Sequence, residues 1–169
     1  FKVAVNVSMN NINRRDIPEK LESIVRDAGV SPEGVIFEMT ETQLMGNLVL
    51  SLEILTRLRL KGFGLSVDDF GTGFSSMKNL KQLPFSELKI DRAFVRDSTH
   101  DKSIRAVLES STQLGKLFKL DLVAEGVETQ EDWDIVSQAG CDAAQGYFIA
   151  KPMPEKDFID WKIKWESTI

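Results

Sequence analysis

Short apolar runs alternate with longer amphipathic segments along this chain. Short apolar runs suit parallel β-strands that are buried on both faces, whereas apolar residues three and four positions apart suit helices that bury one face. The alternation therefore predicts repeated βα units. The predicted strands lie near residues 3–8, 35–40, 65–69, 88–91, 120–125 and 142–149.

Helices are predicted between these strands, and several have start or stop signals. Pro18 favours the first turn of a helix that would end before Gly29. Residues 129–132 have the spacing of a capping box, which predicts a helix from there to Gly140. Thr99 is a candidate N-cap for the helix near 104–118. Other helices are predicted near residues 17–28, 44–60, 76–83 and 154–165.

The short apolar run of each predicted strand ends in polar residues, and we call this set the rim. Parallel strands that alternate with helices open their carboxyl ends on the same side of the sheet. The rim side chains would therefore lie together, although they are spread over most of the chain. The rim comprises Asn6, Glu38, Asp68, Asp69, Lys89, Glu125 and Gln145.

The spacing of the rim residues predicts the fold class. Successive strand ends are 20 to 36 positions apart, which fits βα units of roughly 30 residues. The chain lacks an initiator Met and begins in a strand-like run, so we expect a piece of a larger protein. Residues 1–169 are predicted to be the last six or so units of a TIM-type (β/α)₈ barrel. The alternative, an open doubly wound sheet, lacks its Gly-rich turn after the first strand.

Composition limits the class of protein. With 42% apolar residues, the 169-residue chain can form one domain with a substantial core. We find no membrane-spanning stretch and no signal-peptide pattern. The single Cys141 permits no internal disulfide and no cysteine-based zinc site. We expect a cytoplasmic protein, or the cytoplasmic part of a membrane-anchored one.

The net charge of −5 is concentrated near the rim. When the acidic residues at or just beyond the rim are set aside, the remaining acids and bases are nearly equal in number. A cluster of carboxylates repels itself and any phosphate unless cations bind to it. No basic patch with interleaved aromatic residues is present, so duplex nucleic acid is disfavoured as a partner.

The rim offers oxygen ligands, which suit Mg²⁺ or Mn²⁺ better than zinc. Asp68 and Asp69 could bridge two ions, as in many phosphoryl-transfer sites, or one of them could cap the following turn. Lys89 could form an ion pair or orient a water or phosphate. Asp91 is either a helix cap or an indirect partner of the site.

The segment Phe70–Ser76 is a Gly-rich loop without the spacing of a P-loop, and we interpret it as a mobile lid over the rim. His100 lies in a polar loop segment, and no Ser-His-Asp or Cys-His set is present, which disfavours covalent acyl chemistry. The lid residues are Phe70, Gly71, Thr72, Gly73, Phe74, Ser75 and Ser76.

Six motifs, found in order between residue 1 and about residue 154, resemble the EAL-domain family of bacterial cyclic di-GMP phosphodiesterases. The motifs are Asn6–Ser8, Phe37–Glu41, Asp68–Ser76, Leu88–Asp91, Ala124–Glu128 and Gln145–Phe148. The resemblance implies hydrolysis of one phosphodiester to give linear pGpG. It also implies two divalent ions bound by Asn6, Glu38, Asp68, Asp69 and Glu125.

The resemblance implies roles for further residues. Lys89 would help to position the hydrolytic water, Glu128 and Gln145 would line the substrate pocket, and Glu41 would anchor the Gly-rich loop. It makes a homodimer and fused sensor or GGDEF-type domains plausible partners.

The sequence departs from the family pattern at two points. Phe74 replaces the more usual Tyr, which we expect to be a mild change. The Glu-Ala-Leu signature, which supplies another metal ligand, is absent from these residues. We therefore expect the fragment alone to bind metal poorly and to turn over little substrate. The alternative function is a catalytically silent cyclic di-GMP receptor or interaction module.

Overall fold

Six parallel strands form one sheet in sequence order. The protein is represented by a computed structural model that describes residues 1–8, 14–40, 48–71 and 81–167. Each strand pairs in parallel with the next one along the chain. The strands are β1 (Val3–Asn6), β2 (Val35–Thr40), β3 (Gly64–Phe70), β4 (Glu87–Ile90), β5 (Asp121–Glu125) and β6 (Ala143–Gln145).

Helices connect and follow these strands within the described ranges. The α-helices are α1 (Ile17–Asp27), α2 (Leu48–Leu60), α3 (Arg92–Arg96), α4 (Lys102–Phe118), α5 (Gln130–Ala139) and α6 (Glu155–Glu166), and a 3₁₀ turn covers Pro32–Gly34. The sheet curls into a partial barrel of the TIM type, which confirms the predicted fold class. None of the helices described is both long and apolar enough to cross a membrane.

The structure confirms the predicted cap of α5 but not the predicted cap of α4. The capping box of α5 is present, with Thr129 and Asp132 exchanging hydrogen bonds, and Gly140 ends the helix at φ 83°. The candidate cap Thr99 is wrong. Asp101 instead caps α4, because its carboxylate accepts hydrogen bonds from the backbone N–H groups of Ser103 and Ile104 at 2.7 and 3.3 Å.

The core is thickest at the centre of the sheet. Leu65 of β3, Leu88 of β4 and Leu58 of α2 are fully buried, whereas all four residues of β1 are exposed. Strand β6 is mostly exposed and shorter than predicted, ending at Gln145. The central strands are therefore the rigid part that holds the rim.

Close packing of α4 on the sheet depends on one small residue. Gly115 lies in the buried face of α4, and a Cβ atom there would lie 2.2 Å from Cδ2 of Leu122, which is fully buried in β5. A larger residue would push the helix away from the strand that carries Glu125.

Candidate active site

The parallel register brings the predicted rim residues to one end of the sheet. Asn6 of β1 lies opposite Glu38 of β2, and Glu125 of β5 lies opposite Gln145 of β6. Lys89 lies near the end of β4, between these pairs. All rim positions are therefore at the carboxyl ends of their strands or within two residues of them, as predicted.

A buried lysine joins the rim residues of four neighbouring strands. The side chain of Lys89 is only 4% exposed, and its Nζ lies 2.9 Å from Glu38, 3.4 Å from Asp68 and 2.5 Å from Glu125. Burial alone would lower the pKa of Lys89, but the hydrogen bonds and charges of Glu125 and Glu38 raise it above its ordinary value. We therefore expect Lys89 to be positively charged at neutral pH.

The backbone at the end of β3 brings two consecutive carboxylates close to each other and to Glu125. Successive side chains of a regular strand point to opposite faces. Here the register with β4 shifts between Val67 and Phe70, and Asp69 has a left-handed backbone at φ 55°. As a result, carboxylate oxygens of Asp68, Asp69 and Glu125 lie within 4.8 Å of one another.

These carboxylates repel one another. Burial raises the pKa of Asp69, and the neighbouring Asp68 and Asp91 raise it further. Burial also raises the pKa of Glu125, although Lys89 opposes the shift. A compact set of half-buried oxygen ligands that resists ionisation without a counter-ion fits a hard divalent cation.

An open cavity of about 480 Å³ lies beside this cluster. Glu128 and Gln145 line it. Their contact with substrate stays a prediction. Asp91 also lines it and caps α3, since its Oδ1 accepts a hydrogen bond from the Ala93 N–H at 2.8 Å. The helix cap that the sequence allowed is therefore present, whereas a role for Asp91 in the site stays a prediction.

Two residues that the sequence interpretation did not single out also line the cavity. Arg92 follows Asp91 directly, and Tyr147 comes two residues after Gln145. Both lie just beyond a strand end, and this position was the signal that could have identified them. The exposed Tyr147 ring has the Lys151 ammonium 5.8 Å from its centroid.

Part of the predicted site lies outside the described residues. This applies to Glu41 and to the lid residues Thr72, Gly73, Phe74, Ser75 and Ser76. The first two lid residues are described. Phe70 is buried at the end of β3, and Gly71 has a left-handed backbone at φ 95°.

Comparison with known proteins identifies one family. The profile described as "EAL domain" matches residues 1–152. Cyclic di-GMP phosphodiesterase RocR of Pseudomonas aeruginosa is 40% identical over 161 residues, which cover 95% of this chain and 41% of RocR. The same organism's MucR, named a bifunctional diguanylate cyclase/cyclic di-GMP phosphodiesterase, is 36% identical over 94% of this chain and 23% of MucR. The chain thus spans less than half the length of these relatives.

Solved structures agree with this similarity. The MucR phosphodiesterase in complex with c-di-GMP matches with a TM-score of 0.86 and 37% identity, over 93% of this chain and 64% of that one. BlrP1 of Klebsiella pneumoniae, solved as a manganese/cy-diGMP complex, matches with a TM-score of 0.84 and 29% identity, over 89% of this chain and 39% of that one. A calcium/cy-diGMP complex of BlrP1 matches similarly.

Proposed function

This chain belongs to the EAL domain family, and from that premise we propose that it forms most of the catalytic barrel of a cyclic di-GMP phosphodiesterase. The observation that carries the proposal is the cluster of Asp68, Asp69 and Glu125 beside the buried Lys89. A catalytically silent receptor would not need a buried cation and three crowded carboxylates arranged for phosphate chemistry.

We propose Mg²⁺ or Mn²⁺ as the cofactor, with two ions bound. The donor set supports hard ions, because it consists of carboxylate and amide oxygens. When bound, such ions would neutralise the charge of the phosphate and lower the pKa of a water molecule. The proposed ligands are Asn6, Glu38, Asp68, Asp69 and Glu125.

The reaction adds water across one phosphodiester. The water oxygen forms a bond to phosphorus, the bond from phosphorus to the sugar oxygen breaks, and that oxygen leaves as a hydroxyl, giving linear pGpG. The three donor protons of the Lys89 ammonium face Glu38, Asp68 and Glu125. When metal ions bind these carboxylates, one of the protons would become free to hold the attacking water or a phosphate oxygen. Glu128 and Gln145 line the adjoining cavity and are proposed to contact the substrate.

We also propose how this chain relates to the whole protein. Residues 1–169 would be the C-terminal portion of the EAL domain, with further βα units closing the barrel between β1 and β6, which are the edge strands of the described sheet. A fused GGDEF-type or sensor domain is proposed by analogy with MucR, whose name includes a cyclase. Homodimer formation, a link to the dimer through Glu41 and the lid loop, and a cytoplasmic location remain predictions.

The proposed function is tested with the complete protein encoded by the gene. Purified protein is incubated with cyclic di-GMP and Mg²⁺, Mn²⁺ or EDTA, and the nucleotides are separated by anion-exchange chromatography. Linear pGpG should form with either ion and not with EDTA. Glu131→Gln, which neutralises an exposed acid in the first turn of α5, is the matched control and should remain active. Binding without cleavage would instead establish the receptor function.

A further inference from the structure

Arg92 is the one basic residue among the described residues that line the cavity beside the carboxylate cluster. Four acids share this cavity with it: Asp69, Asp91, Glu125 and Glu128. None of the ion pairs found in the described ranges includes Arg92. Its guanidinium is therefore exposed at the cavity and available to a ligand.

Two glycines fix the short helix that carries Arg92. Gly126 directly follows Glu125 at the end of β5, and a Cβ atom there would lie 2.4 Å from Cβ of Arg92. Gly71 follows β3, and its Cβ would lie 2.8 Å from Cε2 of Phe94. Helix α3 thus packs on the turns that follow β3 and β5, the strands that supply Asp69 and Glu125.

We propose that Arg92 binds the phosphate of the cyclic dinucleotide that is not cleaved, and that Gly126 positions it. This inference rests on the proposed function, because it takes cyclic di-GMP as the ligand. The substrate carries two phosphates, and the metal-binding cluster neutralises only the one under attack. In a cavity lined by acids, the second phosphate would be repelled unless a cation contacts it.

Geometry favours Arg92 for this contact. It lies at the start of α3, adjacent to the cluster through Asp91, and none of the ion pairs in the described ranges joins it to a carboxylate of the rim. A guanidinium presents several N–H donors and forms strong charge-assisted hydrogen bonds to phosphate. Arg92 is thus a substrate-binding residue and Gly126 a positioning residue.

The test compares nucleotide binding with metal binding in the complete protein. Affinity for cyclic di-GMP is measured calorimetrically with Ca²⁺, the ion present in one BlrP1 complex, and Mn²⁺ binding is measured separately without nucleotide. Arg92→Met should weaken nucleotide binding about 10- to 100-fold, as expected for loss of a charged hydrogen bond. Arg92→Lys should stay within about 3-fold of the unmodified protein, because Lys binds phosphate as a point charge. Arg96→Met, in the same exposed helix but outside the cavity lining, is the control and should bind normally.

A separate variant tests whether Gly126 positions Arg92. Gly126→Ala places a methyl group against Arg92 at a backbone φ of 69°, so it should weaken nucleotide binding about as much as Arg92→Met. Combining the two changes should add little further loss. Mn²⁺ binding should be retained in each variant, and a loss of Mn²⁺ binding in Gly126→Ala would overturn the positioning role.

Other outcomes separate the inference from the proposed function. If the unmodified protein binds cyclic di-GMP and Arg92→Met binds it equally well, the inference is wrong and the proposed function stands. If Arg92→Lys loses as much affinity as Arg92→Met, positive charge alone does not account for the contact, and neutralisation of the second phosphate by Arg92 is overturned. If the unmodified protein neither binds nor cleaves the nucleotide, both fail.

Discussion

The Lys89 ammonium lies 2.5 Å from the Glu125 carboxylate of the adjacent strand, and both side chains point to the same face of the sheet. The same ammonium reaches Glu38, two strands away on the other side. A single buried cation therefore links the carboxyl ends of β2 to β5 at the proposed site. We expect both stability and the proposed function to depend on this group.

Replacing Lys89 with Met should destabilise the protein strongly in the absence of divalent ions. The change leaves Glu38, which is 6% exposed, without its counter-charge. Removal of one partner of a buried ion pair typically costs about 3 to 5 kcal/mol. Urea unfolding in EDTA measures the loss, and added Mg²⁺ should restore part of it by supplying the missing positive charge.

Lys162→Met is the control for this change. Lys162 pairs with Glu166 on the exposed face of α6, and such pairs contribute about 0.3 to 0.5 kcal/mol. Equal losses for the two variants would show that the buried position of Lys89 has no special importance.

Neutralising Glu125 should separate activity from folding. Glu125→Gln keeps the shape of the side chain but removes a charge from the cluster with Asp68 and Asp69. Mutation of residues that hydrogen-bond to metal ligands typically lowers metal affinity or activity about 10- to 100-fold. Because Glu125 is itself a proposed ligand, we expect cyclic di-GMP turnover to fall at least about 100-fold. The melting temperature in EDTA should change little, because one repulsive charge is lost together with one attraction to Lys89. Retained turnover would remove Glu125 from the proposed ligands.

Stabilisation by Mg²⁺ should increase with pH. The pKa values of Asp69 and Glu125 are raised above their ordinary values of 3.8 and 4.5, chiefly by burial. The folded state therefore holds these protons more tightly than the unfolded state. Without metal, the contribution of the two groups to stability is complete when the pH is below their ordinary pKa values, and it is lost as the pH rises. Because Mg²⁺ binds the ionised form, the gain in melting temperature between EDTA and Mg²⁺ should be larger at pH 8 than at pH 5.

The comparison of Mg²⁺ with EDTA is needed because the contribution of surface carboxylates to stability changes with pH in the opposite direction. Arg57 lowers the pKa of Glu19, and Lys61 lowers that of Glu22. Their contribution is present above the ordinary value of 4.5 and is lost as pH falls. The contributions of Glu19 and Glu22 cancel when the melting temperature in EDTA is subtracted from that in Mg²⁺ at the same pH. A gain in melting temperature that shrinks as the pH rises would contradict metal binding by ionised carboxylates.

Gly115→Ala should destabilise the protein although Ala favours helices. The gain in helix propensity is up to about 1 kcal/mol, whereas overpacking a core typically costs about 1 to 3 kcal/mol. The new methyl group would lie 2.2 Å from Leu122, so we expect a net loss of about 1 kcal/mol or more in urea unfolding. Ser110→Ala, at an exposed position of the same helix, should leave stability within about 0.5 kcal/mol.

The fold was largely predictable, because buried parallel strands have a simple signature. The apolar runs that end in Glu38, Asp69 and Glu125 correspond closely to β2, β3 and β5. Helix α3 was missed because five residues are too few to show helical periodicity. Strand β6 was predicted too long, because the chain turns directly after Gln145: the backbone N–H groups of Ile149 and Ala150 donate to the carbonyl oxygen of Gly146. A Cβ atom at Gly146 would lie 2.0 Å from the carbonyl oxygen of Val127.

The residues that form the site were easier to predict than the arrangement of their side chains. Strand ends in a parallel sheet must converge, so Glu38, Lys89 and Glu125 could be grouped from the sequence alone. The side-chain alternation of a strand would have sent Asp68 and Asp69 to opposite faces, and only the backbone reveals that they share one. The close approach of Gly126 to Arg92 joins residues that are distant in sequence, and no local pattern predicts it.

The left-handed backbone at Asp69 also restricts which amino acids can replace it. Apart from Gly, the residues that adopt this conformation most readily are Asn and Asp. Asn fits the backbone, keeps one amide oxygen and differs from Asp by a single nucleotide in the codon. The simplest route by which this position could lose its charge in evolution therefore leaves the fold intact. Under the proposed function, a descendant that binds cyclic di-GMP without cleaving it would be one point mutation away.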